Sequence, residues 1–384
     1  MRFEFATAGR IIFGQGCIGE VADAAPSLGR HCLLVTGKNP HRWQGIVDRL
    51  KNRGLGTVLF QVASEPTTAT VQQGLSRARE NGCDCVLAIG GGSAIDTAKA
   101  VAALMSNPGE LADYLEVVGR ARPLISPPAP YIAVPTTAGT GSEVTRNAVI
   151  IAEEHGIKVS LRSPLMLPSL VVVDPDLTLS LPPGITASTG LDALTQLVES
   201  FVSSGANPLT DGICREGLAR ACRSIRTAYE DGRNANARED MALASLFSGI
   251  ALANARLGAV HGFAAAAGGR CRTPHGLICA ALLPHVMEVN VRALKRRMPE
   301  SRALERFKEV ARIMTGKASA TAEDGIDWLK NLGSFLHVEP LHSIGIDEGL
   351  FPELVTGARR ASSMRGNPIV LTDDELDEIL HKAR

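Results

Sequence analysis

Cys85-Val86-Leu87-Ala88-Ile89 runs straight into Gly90-Gly91-Gly92-Ser93 and then into Ala94-Ile95-Asp96-Thr97-Ala98-Lys99-Ala100. An unbroken apolar run of this kind predicts a strand buried on both faces, as in a parallel sheet. The alanine-rich segment after the serine predicts a helix. Glycines between the two allow positive φ and let a ligand come close to the main chain. The new helix presents unpaired N–H groups and its positive dipole end, which together make a cradle for a pyrophosphate. The spacing is not G-x-G-x-x-G, so the standard dinucleotide fingerprint is absent. Taken alone, the stretch also reads as a plain glycine-rich turn from strand to helix.

Outward from this stretch the same alternation continues. Residues 32–36 (Cys-Leu-Leu-Val-Thr) and 57–60 (Thr-Val-Leu-Phe) precede it, with a helix expected over about 68–81. Residues 131–135 and 170–174 are two further apolar runs, and Arg10 to Gly14 reads as an edge strand or hairpin. Apolar strands separated by helices predict a parallel sheet covered on both faces. The pattern changes at Leu181-Pro182-Pro183-Gly184, beyond which the period is helical, as in 239–255 and 276–290. The expected organisation is an α/β dinucleotide-binding domain over residues 1–180 and an all-helical metal and substrate domain over 181–384. A cleft between the two is the expected place for a ligand.

Composition narrows the partners. The 384 residues carry 40 basic and 40 acidic side chains, so no net field attracts nucleic acid or an anionic membrane. The N-terminal Met1-Arg2-Phe3-Glu4-Phe5 has no apolar core of a signal peptide, and no apolar run reaches the roughly 20 residues of a membrane span. The expectation is a cytoplasmic protein with a small-molecule partner. Eight cysteines include no C-x-x-C pair and read as reduced core residues. Cys271, His275 and Cys279 are spaced four apart, but Pro274 interrupts a continuous helix, which argues against a thiolate site there.

Four further segments carry chemistry. Pro135-Thr136-Thr137-Ala138-Gly139-Thr140-Gly141-Ser142-Glu143 follows a strand and offers hydroxyls and amides suited to phosphate oxygens or a carboxamide; it also reads as a Ser/Thr/Gly loop. Val35-Thr36-Gly37-Lys38 ends a strand without the acid that binds an adenosine 2′-OH. Gly37 leaves room there, and Lys38 or Arg42 suits a 2′-phosphate, which favours NADP over NAD; an ordinary solvated Lys38 is the alternative. Thr189-Gly190-Leu191-Asp192-Ala193-Leu194-Thr195-Gln196 places Asp192 and Gln196 on one helical face, with Glu199 nearby. Val260-His261-Gly262-Phe263 reads as the end of an alanine-rich helix and Thr273-Pro274-His275-Gly276 as the start of the next. Two histidines near helix ends, with that polar face in the same domain, suit either a metal site or ordinary structural roles. Phe263 and the Ala264 to Ala267 run suggest a small apolar substrate wall.

The motifs GGGSAIDTAKA, PTTAGTGSEVT, VVVDPDLTLSLPP, STGLDALT, GAVHGF and PHGLICAALLPHVMEVN, in that order, closely resemble the iron-containing (group III) alcohol dehydrogenases. The likeness extends from about residue 5 to the Asn367-Pro368 tail. It implies the two-domain fold shared with dehydroquinate synthase and glycerol dehydrogenase, hydride exchange between an alcohol and NAD or NADP, and a homodimer. It places the phosphate loop on Gly90, Gly91, Gly92 and Ser93 with Asp96 behind them. The nicotinamide-side loop falls on Thr136, Thr137 and Thr140, and a cofactor-contacting lysine on Lys158. It puts a divalent ion, iron or zinc, on Asp192, His261 and His275.

Two departures stand out. The family's histidine four after the aspartate is Gln196, and the second histidine of its H-G-x-x-H segment is Ala265. A neutral amide oxygen is a harder and weaker ligand than imidazole, so a changed ion, weak binding or an empty site is expected alongside iron. The expected mechanism is Lewis-acid activation of the substrate oxygen by an ion on Asp192, His261 and His275, with Gln196 as fourth ligand or water-holder. The competing readings are a lyase of the same fold and a nucleotide-binding protein without dehydrogenase activity.

Overall fold

The computed structural model describes residues 2–268 and 273–384. The chain divides into two compact units. One is Thr7–Thr137 with Gly141–Leu179; the other is Ser180–Arg384 with Met1–Ala6 and Ala138–Thr140.

The first unit is built on a six-stranded, wholly parallel sheet with order β1-β8-β5-β4-β2-β3. Its strands are β1 (Ile11–Phe13), β2 (His31–Thr36), β3 (Gly56–Gln61), β4 (Cys85–Gly90), β5 (Tyr131–Pro135) and β8 (Leu170–Val173). Beside it runs an antiparallel hairpin, β6 (Asn147–Ala152) with β7 (Ile157–Arg162). The helices are α1 (Val21–Ala24), α2 (Gln44–Asn52), α3 (Thr68–Glu80), α4 (Gly92–Ser106) and α5 (Leu111–Tyr114). Burial explains the strand sequences. Every residue of central β4 and β5 is buried, while the edges β1 and β3 are partly exposed.

Order within the sheet positions the ligand loops. The chain goes from β2 outward to β3, then returns to place β4 on the opposite side of β2. That reversal is a topological switch point, where open α/β sheets bind ligands beyond the strand ends. Gly37 follows β2, and Gly91 caps α4 after β4, so both candidate loops stand at this point.

The second unit contains helices and, among the described residues, no strand. They are α6 (Pro183–Val202), α7 (Pro208–Glu230), α8 (Ala235–Ala255), α9 (Ala259–Ala267), α10 (His275–Arg297), α11 (Arg302–Thr315), α12 (Ala322–Phe335), α13 (Phe351–Arg360) and α14 (Asp373–Ala383). Helix α6 is the centre of this unit. It packs against α7, α8 and α10, and from Thr186 to Val202 all but Thr189 are buried. Its first turn is held from outside. The buried Arg238 guanidinium donates to Leu181 O at 3.2 Å, Gly232 O at 2.9 Å and Thr186 Oγ1 at 2.9 Å. Helix α10 is long and apolar enough to cross a membrane, but most of it is buried in this helical core.

Two expectations are corrected by the helical unit. His261 does not end an alanine-rich helix; it lies in the first turn of α9, after a 99° change of direction from α8. Arg256 at φ 75° and the following Leu257-Gly258 make the break. Phe263 is also not a substrate wall: it is 1% exposed and belongs to the helical core.

Candidate active site

Three polar side chains one turn apart on α6 are buried: Asp192, Gln196 and Glu199 are 3%, 4% and 4% exposed. Burial of such groups is costly unless they are paired, so their partners identify their roles. Glu199 is fully engaged at the start of α9. Its Oε1 accepts the Val260 N–H at 2.7 Å, and its Oε2 accepts the His261 N–H at 3.4 Å and faces His261 Nδ1 at 2.7 Å. Gly258 at the N-cap has no side chain to satisfy these amides, so Glu199 does so from α6. Asn367 Oδ1 takes the neighbouring Ala259 N–H at 3.2 Å, which gives the C-terminal tail its place in the site.

With Nδ1–H donated to Glu199, the lone pair of His261 Nε2 points the other way. That atom is buried with no hydrogen-bond partner, and so is Asp192 Oδ1, 3.6 Å from it. His275, first residue of α10, brings its Nε2 to 4.0 Å from Asp192 Oδ1. Cys279 Sγ, one turn further along α10, is 3.6 Å from His275 Nε2. Ligand atoms of Asp192, His261, His275 and Cys279 all lie within 4.8 Å of one another. Burial alone would lower the His261 pKa, but the nearby carboxylates of Asp192 and Glu199 outweigh it and lift it to about 9. Positive charge is therefore favoured between these carboxylates. Two orphaned acceptors facing each other amid imidazole and thiol fit a divalent cation.

Gln196 takes a different course. Its Oε1 accepts the Ser248 hydroxyl at 2.7 Å. Contrary to expectation, Pro274 does not separate His275 from Cys279. Pro274 is the N-cap of α10 rather than a break within it, so His275 and Cys279 share one helical face. Cys271 lies outside the described residues. Spacing from His275 was the signal for Cys279, and Glu199 was visible on the Asp192 face, but neither role could be assigned before α9 and α10 were placed.

The candidate phosphate loop lies in the first unit. A Cβ on Gly90 would sit 2.6 Å from Ala94 Cβ and 3.4 Å from Gly37 N, and one on Gly91 would be 3.3 Å from the Thr137 side chain. Gly37, Gly90, Gly91 and Thr137 thus crowd together, and the first turn of α4 opens beside them with no side-chain cap. None of Gly90, Gly91 and Gly92 has positive φ, so these glycines provide closeness rather than an unusual backbone. Gly92 and Ser93 form the first turn of α4, and Thr136 donates its N–H to Gly90 O at 3.0 Å. Such a bare, close-set loop with free helix amides fits a pyrophosphate. Lys38 lies just beyond β2, where its carbonyl accepts Gln61 Nε2 at 2.7 Å. Lys158 pairs with Glu65 at 2.6 Å on the hairpin. Thr140 belongs to the strip Ala138–Thr140 of the helical unit, where a Cβ on Gly139 would clash with Thr189 at 2.5 Å.

Asp96 is engaged inside its own unit. Its carboxylate accepts the Ser142 hydroxyl and, at 3.1 Å, the Val149 N–H, and stands 3.7 Å from Lys99 Nζ. Lys99 is wholly buried and donates to Ser142 O and Asn147 O at 2.7 Å and to Thr145 Oγ1 at 2.9 Å. Burial lowers its pKa to about 8 against the opposing pull of Asp96 and Glu143. Together these residues tie α4 to the segment after β5.

A switch-point nucleotide cradle and a buried carboxylate–imidazole cluster define a metal-dependent, nucleotide-linked oxidoreductase. The profile described as "Iron-containing alcohol dehydrogenase" matches residues 8–175, and "Fe-containing alcohol dehydrogenase family, C-terminal" matches 186–384. The chain is 36% identical to alcohol dehydrogenase 4 of Schizosaccharomyces pombe over 97% of its own length and 87% of that protein's. It is 34% identical to the 1,3-propanediol dehydrogenase of Klebsiella pneumoniae, covering 99% of this chain and 98% of that one. The solved structure of an alcohol dehydrogenase from Oenococcus oeni superposes with a TM-score of 0.92 at 32% identity, covering 100% of both chains. The chain belongs to the iron-containing alcohol dehydrogenase family. It is a metal-dependent alcohol dehydrogenase or aldehyde reductase that uses NAD or NADP.

Proposed function

We propose that the chain interconverts short or medium aldehydes and their alcohols with NADP, at a divalent cation held by Asp192, His261 and His275. The observation that carries this reading is the pair of orphaned buried atoms, Asp192 Oδ1 and His261 Nε2, 3.6 Å apart. When bound, the cation supplies a Lewis acid for the substrate oxygen. The protein's own residues do the rest. Glu199 fixes the His261 tautomer and ring orientation through the 2.7 Å contact to Nδ1. Asp192, itself buried, supplies the negative charge that offsets a cation. Amides of Gly92 and Ser93 receive the pyrophosphate, with Thr136 and Thr137 beside it.

Preference for NADP is supported by the end of β2, where Gly37-Lys38 stands and no acid is present to bind a ribose 2′-OH. Lys38→Ala should raise KM for NADPH and leave that for NADH unchanged; equal effects on both would count against the preference. A homodimer in the cytoplasm completes the reading, on the strength of family membership, and light scattering measures the mass.

The direct test is metal content of protein purified without chelators, paired with NADPH oxidation on a panel of short aldehydes before and after EDTA. Stoichiometric metal with activity lost to EDTA and restored by metal is expected. Full activity in metal-free protein would overturn the cation site.

A further inference from the structure

We propose that the fourth protein ligand of this cation site is the Cys279 thiolate, and that the site is thereby suited to zinc. The inference rests on the reading that Asp192, His261 and His275 hold a divalent ion. Three observations carry it further.

First, Cys279 stands where a ligand would. Its Sγ is 3.6 Å from His275 Nε2 and within 4.8 Å of ligand atoms on Asp192 and His261. A sulfur at about 2.3 Å and a nitrogen at about 2.0–2.1 Å from one tetrahedral zinc stand about 3.6 Å apart. The i, i+4 spacing of His275 and Cys279 puts both side chains on one face of α10. Second, the residue at the position of the family's missing imidazole is turned to another task, since Gln196 Oε1 accepts from Ser248 on α8 at 2.7 Å. Third, two of the other three ligand atoms have no hydrogen-bond partner. Asp192 Oδ1 and His261 Nε2 are buried without partners in residues 3% and 7% exposed.

The chemistry follows from the donor set. As the sulfur–metal bond forms, the thiol proton leaves to solvent. One carboxylate, two imidazoles and one thiolate give a borderline-soft set that suits zinc and disfavours magnesium or manganese. Four protein ligands would fill a tetrahedral shell, so a substrate oxygen would bind as a fifth ligand, a number that catalytic zinc reaches in some transition states.

Cobalt(II) reports the ligand directly. Metal-free full-length protein titrated with cobalt should bind one equivalent and show a thiolate-to-cobalt charge-transfer band in the near ultraviolet. The band should vanish in Cys279→Ser, and zinc affinity, measured by chelator competition, should fall by about 100-fold, comparable to the larger losses seen on perturbing a metal's surroundings. Gln196→Ala should keep the band. Stoichiometric cobalt binding to the unaltered protein with no such band would overturn the role of Cys279 and leave the cation site standing. Failure of the unaltered protein to bind cobalt or zinc would overturn both. The unaltered protein's spectrum decides the matter even if Cys279→Ser fails to fold.

Discussion

Glu199 and His261 are joined twice: the carboxylate faces the ring Nδ1 at 2.7 Å and accepts the same residue's backbone N–H at 3.4 Å. One side chain of α6 thus anchors both the first turn of α9 and the imidazole it carries. The direction of the His261 lone pair depends on this carboxylate.

Glu199→Gln should weaken divalent metal binding by about 10–100-fold, the usual cost of losing a carboxylate behind a metal-bound histidine. An amide keeps an oxygen for Val260 but brings N–H groups toward amide donors it cannot satisfy. Zinc competition titration on the folded variant checks this. Unchanged affinity would mean that the tautomer is set elsewhere.

Gly276→Ala tests how α10 presents His275. A Cβ at 276 would lie 1.9 Å from Ser188 O and 3.0 Å from Asp192 Cβ, so backbone must move against backbone. Overpacking of this kind costs about 1–3 kcal/mol or more. A lowered urea midpoint is expected together with weaker metal binding, because α10 carries His275 away from Asp192 as it shifts. A variant with unaltered midpoint and affinity would contradict the close contact of α6 and α10.

Glu143→Gln addresses the first unit. Burial raises the Glu143 pKa from 4.5 to about 7. A carboxyl with a raised folded pKa contributes its stability below the unfolded value and loses it as pH rises through the folded one. Between pH 4.5 and 7.5 the native protein should therefore lose about 3 kcal/mol relative to the variant, from the gap between 4.5 and about 7 at about 1.4 kcal/mol per unit. Lys99, held at about 8, loses its charge mostly above this window. Paired denaturation curves at the two pH values measure the difference. A constant offset would show that Glu143 titrates normally.

Much of this was legible in the residues. Continuous apolar runs marked the parallel strands because burial on both faces removes alternation. The β6–β7 hairpin went unmarked although its burial alternates, because its turn is the acidic Glu153-Glu154-His155 and its reversal rests on Gly156 at φ 62°. The start of α9 was hidden by an alanine-rich sequence that continues across the bend, where only Arg256-Leu257-Gly258 interrupts it. Motif resemblance supplied Asp192, His261 and His275. It did not supply Cys279, whose spacing from His275 is visible in the sequence but whose nearness to Asp192 and His261 depends on how α10 meets α6 and α9.

The anchoring of the chain's early residues bears on how the molecule is made. Ala6 exchanges two hydrogen bonds with Asn254, at 2.8 and 2.9 Å, and Ile11 pairs with Val171 across the sheet edge. During vectorial synthesis Ile11 waits for Val171 to emerge, and Ala6 waits longer still for α8. The segment translated early is thus seated late, and the open edge of β8 stays unpaired until it arrives. Changes to residues 6–13 should act on the rate of this docking step more than on the folding of the sheet's centre.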